Sequence, residues 1–247
     1  MCQYTRGNID MTRILFVCTE VHSHGGIQRF NRNLIQSWIE LGAVIDIISV
    51  NDTPKRSKVY NGLDSIRCFY ANKNKVMWLV FLSLKILTKR YDKVVCGHIN
   101  LAPSLVGLLW IFNGRLEHTV LILHGIDVWG RVTGLKACAS KKMAKVLGVS
   151  SYTVNSFLEQ VGDYPRNKTD VFPNTISPDL VKYRCIEKHE IADDKKITLL
   201  SVARLDKSER DKGIIDVILA LCNVRDIVNF EYWVLGEGDD RNYLESL

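Results

Sequence analysis

The chain predicts an α/β fold in which a parallel sheet is covered by helices on both faces, followed by the opening of a second unit of the same kind. Three observations predict it. From Arg13 onward, short β-branched strands that are apolar almost without interruption alternate with helix-length segments, and parallel strands read this way because both of their faces are covered. The alternation stops between Pro173 and Lys196, where prolines and charges replace periodic apolar positions. It restarts at Ile197 and runs through a basic loop, an apolar helix and a strand that ends in Gly236-Glu237-Gly238.

The elements follow in order. Residues 14–18 form the first strand, 26–41 a helix closed by Gly42 as its C-cap, and 44–50 the second strand. Further strands fit 65–70, 93–97, 119–123, 145–149 and 169–172, with helices between them. The longest apolar runs, 76–87 and 101–112, are shorter than the roughly 20 residues needed to span a bilayer. They are read as helices buried against the sheet, although Lys89-Arg90 after the first run keeps docking on a membrane surface open. The predicted organisation is a leader over 1–12, with Met11 as the natural start and no signal peptide. A complete α/β domain covers 13–173, a linker 174–196, and the first β-α-β part of a second, Rossmann-like domain 197–247. That last piece, of about 50 residues, is marginal as an independent core.

Composition bounds the function. With 47% hydrophobic and 24% charged residues the chain has an ordinary globular make-up. Its formal net charge of +6 favours an anionic partner such as a nucleotide or a membrane surface and is too small to argue for nucleic acid. The seven cysteines are scattered and contain no CxxC pair, which argues against a disulfide framework or a structural zinc site and for a reducing, cytoplasmic setting.

Chemistry is expected at the carboxyl ends of the strands, where open parallel sheets bind ligands. Gly25 and Gly26 follow the first strand and open a helix, so the backbone can approach a phosphate or sugar and the helix N-terminus offers oriented N–H groups. This is not the GxGxxG fingerprint, and neither Asp46, inside the second strand, nor Asp52, just beyond it, is placed as the acid of a dehydrogenase site. His124-Gly125 follows the fifth strand. His124 can bond a sugar hydroxyl, present its carbonyl or act as a base. Pro173-Asn174 makes a turn after the last strand of the domain. Arg204, two residues past the strand at 197–202, and Lys212, before Gly213, are placed to close on a diphosphate, with Lys207 and Arg210 as substitutes. Gly236 and Gly238 bracket Glu237 where a base or ribose can lie against bare backbone. There is no Asp-x-Asp triplet to hold a divalent cation. Arg131, Lys136, Lys141, Lys142 and Lys145 form a basic patch that is a solvated face by default and a lipid-headgroup site if functional.

Taken in order, Gly25-Gly26, His124-Gly125, Pro173-Asn174, Arg204 with Lys212-Gly213, and Gly236-Glu237-Gly238 resemble the family-4 retaining glycosyltransferases of the GT-B fold, over residues 13–247. The resemblance implies two Rossmann-like domains, the first mainly binding acceptor and the second nucleotide-sugar donor. It implies that Gly25, Gly26, Arg204 and Lys212 meet the donor diphosphate, that Gly236, Glu237 and Gly238 lie by the base, and that His124 lines the sugar site. Gln28, Asp127 and Asn174 fall on the acceptor side. The implied reaction moves a sugar from a UDP- or GDP-sugar to a glycan or polyprenyl-diphosphate-linked acceptor in cell-surface polysaccharide or lipopolysaccharide synthesis. It proceeds with retention, without metal or other cofactor and without a protein nucleophile. The family's glutamate motif beyond the GxG turn is absent from these 247 residues, so the chain alone is expected to be inactive or nearly so. A nucleotide-sugar epimerase of the same fold and a non-catalytic acceptor- or membrane-binding module are the alternatives. Localisation at the inner face of the cell membrane is compatible with either.

Overall fold

The computed structural model describes residues 11–54, 65–112, 114–130, 132–176 and 196–247. The chain divides into two compact units, 1–182 and 183–247. Most of the segment expected to be a linker, the proposed leader up to residue 10, and Arg131 of the basic patch lie outside the described residues.

The first unit is a parallel sheet of β1 (Arg13–Cys18), β2 (Val44–Ser49), β3 (Ile66–Tyr70), β4 (Lys93–Cys96), β5 (Thr119–Leu123), β6 (Lys145–Gly148) and β7 (Thr169–Val171), in the order β3-β2-β1-β4-β5-β6-β7. Its helices are α1 (Gly26–Glu40), α2 (Lys75–Thr88), α3 (Ala102–Ile111), α4 (Ile126–Trp129), α5 (Gly134–Lys142) and α6 (Ser151–Val161). Several strands end one residue before their expected limit because the chain turns out at the carboxyl edge. Gly97, for example, still donates its N–H to the Val17 carbonyl at 2.8 Å but no longer belongs to β4.

The strand order reverses at β1, which pairs with β2 on one side and β4 on the other. The loops leaving β1 and β4 therefore part at this switch point, and a crevice between such loops is where doubly wound sheets bind ligands.

Alternation along the strands sorts the core into two layers. Leu15, Val17 and Ile48 pack under α2, α3, α5 and α6, whereas Phe16, Ile45 and Ile47 pack under α1. α1 buries Phe30, Asn31 and Ile35 and sets Trp38 edge-on against Phe16 at 5.4 Å. It ends where Gly42 takes φ +80, its N–H and that of Ala43 closing on the carbonyls of Ile39 and Trp38, the glycine-terminated stop expected of that residue.

The run expected to be buried in α2 is buried on one side only. Asn74 caps the helix by accepting the Met77 N–H at 3.0 Å, and Trp78 and Leu82 go into the core, at roughly 1.5–3 kcal/mol each for burial of that size. Val76, Val80, Leu84 and Leu87 face outward. A polar cluster pins the same helix to the sheet: buried Asp46, in the middle of β2, accepts from Lys85 Nζ at 3.1 Å and Tyr91 Oη at 2.6 Å. Burial and that bond raise the Tyr91 hydroxyl well above its ordinary pKa. Among the described residues no helix is long and apolar enough to cross a membrane.

The second unit pairs β8 (Ile197–Val202) with β9 (Phe230–Leu235) in parallel. A 3-10 turn over Lys207–Lys212 leads through left-handed Gly213 (φ +77) into α7 (Ile214–Cys222), and α8 (Arg241–Glu245) follows β9. Leu205 and Ile214 are buried, while Leu200, Val202, Trp233 and Leu235 leave one face of the two-stranded sheet uncovered.

Candidate functional site

At the carboxyl edge of the first unit the loop after β1 is held from several sides. The buried Asp52 carboxylate accepts the Val21 N–H at 2.6 Å, the Ser49 hydroxyl at 2.8 Å and the His22 N–H at 3.2 Å. Its oxygens are thus engaged inside the protein. Glu20 accepts from Asn51 Nδ2 at 3.1 Å, Gln28 Nε2 at 3.2 Å and the Ser23 hydroxyl. Partial burial pushes its carboxyl pKa up, and the three hydrogen bonds outweigh that and hold it below the usual value. Arg32 ties the carbonyls of Val21 and Ser23 at 2.6 and 3.0 Å.

The two loop glycines differ. Gly25 has φ +154, a backbone conformation that L side chains rarely adopt, so a larger residue is strained there, and the Gln28 amide end occupies the space its Cβ would take. At Gly26 a Cβ would meet nothing within 4 Å. Among the described residues no side chain caps α1 at its N-terminus, so its first-turn N–H groups can serve an anion. The Gln28 amide, placed on the acceptor side by the resemblance, braces Glu20.

The loops after β4 and β5 bring two imidazoles and a carboxylate to the same edge. His124 Nε2 lies 3.0 Å from the Gly97 carbonyl. A carbonyl only accepts, so Nε2 carries the proton and Nδ1 is the acceptor of the neutral ring. The His124 N–H donates to Asp127 Oδ1 at 3.1 Å, and buried Asp127 Oδ2 has no hydrogen-bond partner among the described residues. Phe30 stands edge-on to the imidazole at 5.0 Å, with Phe172 edge-on to Phe30 at 5.7 Å. His98, one residue beyond the end of β4 after Gly97, uses Nδ1 to accept the Asn100 N–H at 3.2 Å, which leaves Nε2–H as a donor when the ring is neutral. Burial lowers the pKa of both histidines, although the Asp127 charge opposes it. The edge can therefore offer a hydroxyl-bearing ligand one imidazole acceptor and one imidazole donor. Gly125, at φ +108, holds a conformation that L side chains rarely adopt, and a Cβ there would press on the Trp129 ring 2.8 Å away. Asn174 is exposed beyond β7.

In the second unit Arg204 and Lys212 converge on Glu209, Arg204 on Oε1 and Lys212 on Oε2. Arg204 also lies 3.8 Å from Asp206. The Lys212 hydrogen bond and the Arg204 charge hold the Glu209 carboxyl below its ordinary pKa. Arg210, expected as a substitute for Arg204, is committed elsewhere. Its guanidinium forks onto buried Asp240 at 2.6 and 2.5 Å and stacks 4.5 Å over the Tyr243 ring. The planar, two-pronged match to a carboxylate explains why this arginine is structural.

The glycines after β9 serve close backbone packing. A Cβ at Gly236 would lie 1.8 Å from the Ala203 carbonyl oxygen, and one at Gly238 would lie 2.0 Å from the Leu205 carbonyl carbon. The Leu205 N–H donates to the Glu237 carbonyl at 2.9 Å across the same seam. Their bare sides are therefore filled by the 203–206 loop. Beside them a cleft of about 520 Å³ is lined by Leu205, Ile218, Val234, Leu235 and Gly236, with Glu237 and Arg241 at its polar side.

The structure thus gathers Gly25, Gly26, Gln28, His124 and Asp127 at one edge of the first unit, and Arg204 with Lys212 in the second. Sequence reasoning missed His98 and Glu209, and it weighed Asp52 only as a dehydrogenase acid. His98 had a usable signal: like His124 it is a histidine at the end of a strand, next to a glycine. Asp52 had its place just beyond the second strand, and Glu209 had nothing beyond its charge.

No family model matches the chain, and no curated protein does. Solved structures do. The chain is similar to the apo form of the lipopolysaccharide outer core galactosyltransferase WaaB, with TM-score 0.65 and 15% identity over 95% of this chain and 64% of that one. It is similar to Anabaena Alr3699/HepE in complex with UDP-glucose, with TM-score 0.59 and 15% identity over 95% and 64%. It is also similar to a glycosyltransferase from Rickettsia africae ESF-5, with TM-score 0.56 and 16% identity over 92% and 69%. The chain spans about 64% of the length of the first two. Over that span it has the mostly parallel α/β architecture of the GT-B glycosyltransferases.

Proposed function

We propose that the chain carries the acceptor-side domain and the opening of the donor-side domain of a glycosyltransferase that uses a nucleotide sugar, such as a UDP- or GDP-sugar, to glycosylate a glycan or lipid-linked acceptor. One observation carries the reading: Arg204 and Lys212 already hold the two oxygens of one carboxylate, which is the arrangement a phosphate of the donor needs. The shared fold supports it, since the Anabaena structure of that fold contains UDP-glucose.

In this reading the diphosphate displaces Glu209 and takes its place between the two cations, which neutralise charge on the leaving group as it develops. No metal or cofactor is assigned to that task. The bond from the sugar anomeric carbon to the diphosphate oxygen breaks, and the acceptor oxygen bonds to the same carbon on the same face, with retention. The acceptor proton passes to the departing phosphate oxygen. His124 Nδ1 and the N–H groups at Gly26 orient hydroxyl and anionic groups at the edge of the first unit, and Asp127 keeps the His124 loop in place through its backbone bond. Cell-surface polysaccharide or lipopolysaccharide synthesis is the setting that suits such an acceptor.

Calorimetric titration of the chain with UDP, GDP and their sugars, beside Arg204→Ala and Lys212→Ala, tests the assignment. Binding of one nucleotide that both substitutions weaken tenfold or more, with unchanged circular dichroism, is the expected result. Equal binding by all three proteins would remove the diphosphate assignment.

A further inference from the structure

We propose that the outer face of the helix layer formed by α2, α3 and α5 is a docking surface for an anionic lipid membrane. This rests on the surface alone and not on the transferase reading. α2 turns Val76, Val80, Leu84 and Leu87 outward, with Val76 70% and Leu84 52% exposed. These positions share one stripe of the helix, about 16 Å long. The opposite side of α2 already supplies Trp78 and Leu82 to the core, so the fold itself does not need the stripe. A contiguous apolar surface of this kind marks a contact with something else.

At its C-terminal end the stripe is continued by α3. Both helices run from the carboxyl to the amino edge of the parallel sheet, so their last turns adjoin. Trp110, 74% exposed, and Ile111 stand there. A cleft of about 660 Å³ between these ends is lined by Leu87, Lys89 and Arg90 on one side and by Leu109, Phe112 and Arg115 on the other.

Charge selects the occupant. α2 contains no acidic residue, and cations stand at both ends of it, Lys73 and Lys75 before the stripe and Lys89 and Arg90 after it. α5, packed beside α3, adds exposed Lys136 and Lys142. A second copy brought face to face by a two-fold axis would set these cations against one another. An anionic bilayer accepts both features: apolar side chains enter the acyl boundary, Trp110 sits at headgroup level, and the cations meet lipid phosphates. At 14 residues α2 is too short to span and lies in the plane of the interface.

Co-sedimentation with vesicles tests this, using phosphatidylcholine alone and phosphatidylcholine with about 30% phosphatidylglycerol, at about 50 and 500 mM salt. The 247-residue chain is compared with Val80→Asp/Leu84→Asp, the milder Val80→Ser/Leu84→Ser, and Lys89→Glu/Arg90→Glu, each checked for unchanged circular dichroism and melting. The expected result is binding to the anionic vesicles that high salt loosens and that the acidic variants reduce roughly tenfold or more, with the serine variant between. Three results overturn the proposal: a chain that stays in the supernatant with anionic vesicles at low salt, variants that bind like wild type, or a concentration-dependent dimer abolished by Val80→Asp/Leu84→Asp without any vesicle binding. The last would assign the surface to a second copy.

Discussion

Arg204 and Lys212 hold opposite oxygens of a single carboxylate, that of Glu209. The 3-10 turn over Lys207–Lys212 makes this meeting possible by folding the loop back on itself, so residues eight apart in sequence share a partner. A pair of cations held this way is preorganised for a two-oxygen anion, and Glu209 is then a competitor for it.

The competition is measurable. Removing the Glu209 charge with Glu209→Gln should tighten UDP binding by roughly 1.5- to fivefold, the scale of a surface ion pair, while Arg204→Ala weakens it. Calorimetry of the two variants reads opposite signs. Looser binding by Glu209→Gln would mean that the carboxylate supports the site instead of competing for it.

Arg210 is expected to behave differently from Arg204 although the two are close in sequence. Its guanidinium neutralises Asp240, which is 2% exposed and stands at the N-cap position of α8. Arg210→Ala leaves a buried carboxylate unpaired and should lower the melting temperature of the second unit, with a smaller loss for Arg210→Lys. Arg204→Ala, at an exposed position, should leave melting unchanged. Coincident melting curves for Arg210→Ala and wild type would sink the structural assignment.

The glycines offer a second contrast. Gly236→Ala puts a methyl group 1.8 Å from the Ala203 carbonyl oxygen, and backbone on both sides must move, so a loss of about 2–4 kcal/mol is expected. Gly26→Ala meets empty space at the first position of a helix and should keep stability or raise it by less than the roughly 1 kcal/mol of a helix interior. If Gly26 leaves room for a ligand, Gly26→Ala nonetheless weakens donor or acceptor binding. Denaturant melts and nucleotide titrations of the two variants separate packing from function, and a Gly26→Ala protein that binds as well as wild type would reduce Gly26 to a helix start.

These residues also show what the sequence makes legible. β1, β4 and β5 can be read directly because strands buried on both faces are almost continuously apolar, whereas the partly exposed edge strands β3 and β7 are legible only from their place in the alternation and the turns that bound them. The outward half of α2 cannot, since a run apolar on every side has no polar stripe to mark its exterior. Gly236 and Gly238 read equally well as ligand contact or close packing until the 203–206 backbone is seen against them. Glu209 reads as one charge among several in a mixed loop, and its place between two cations depends on the turn. His98 is marked in the sequence by its glycine neighbour after a strand, and the strand order adds that this loop reaches the switch point, because β1 lies next to β4.

The histidines at that edge make a prediction about pH. Burial lowers the folded-state pKa of His22, His98 and His124, so below the ordinary histidine value of about 6.5 the unfolded chain binds protons that the folded chain refuses. Stability from these groups is therefore fully present above that value and declines as pH falls from it toward the depressed folded values. The carboxylates with lowered pKa, Glu20 and Glu209 among them, titrate at more acidic pH, so the interval from about pH 7.5 to 5.5 isolates the imidazoles. Melting temperature should drop by about 2–6 °C across it. His98→Asn/His124→Gln should show a shallower slope whatever its absolute melting point, because two of the three groups that take up protons on unfolding are gone. A slope as steep as that of wild type would place the responsible groups elsewhere and leave the two imidazoles as accessible, ordinary histidines.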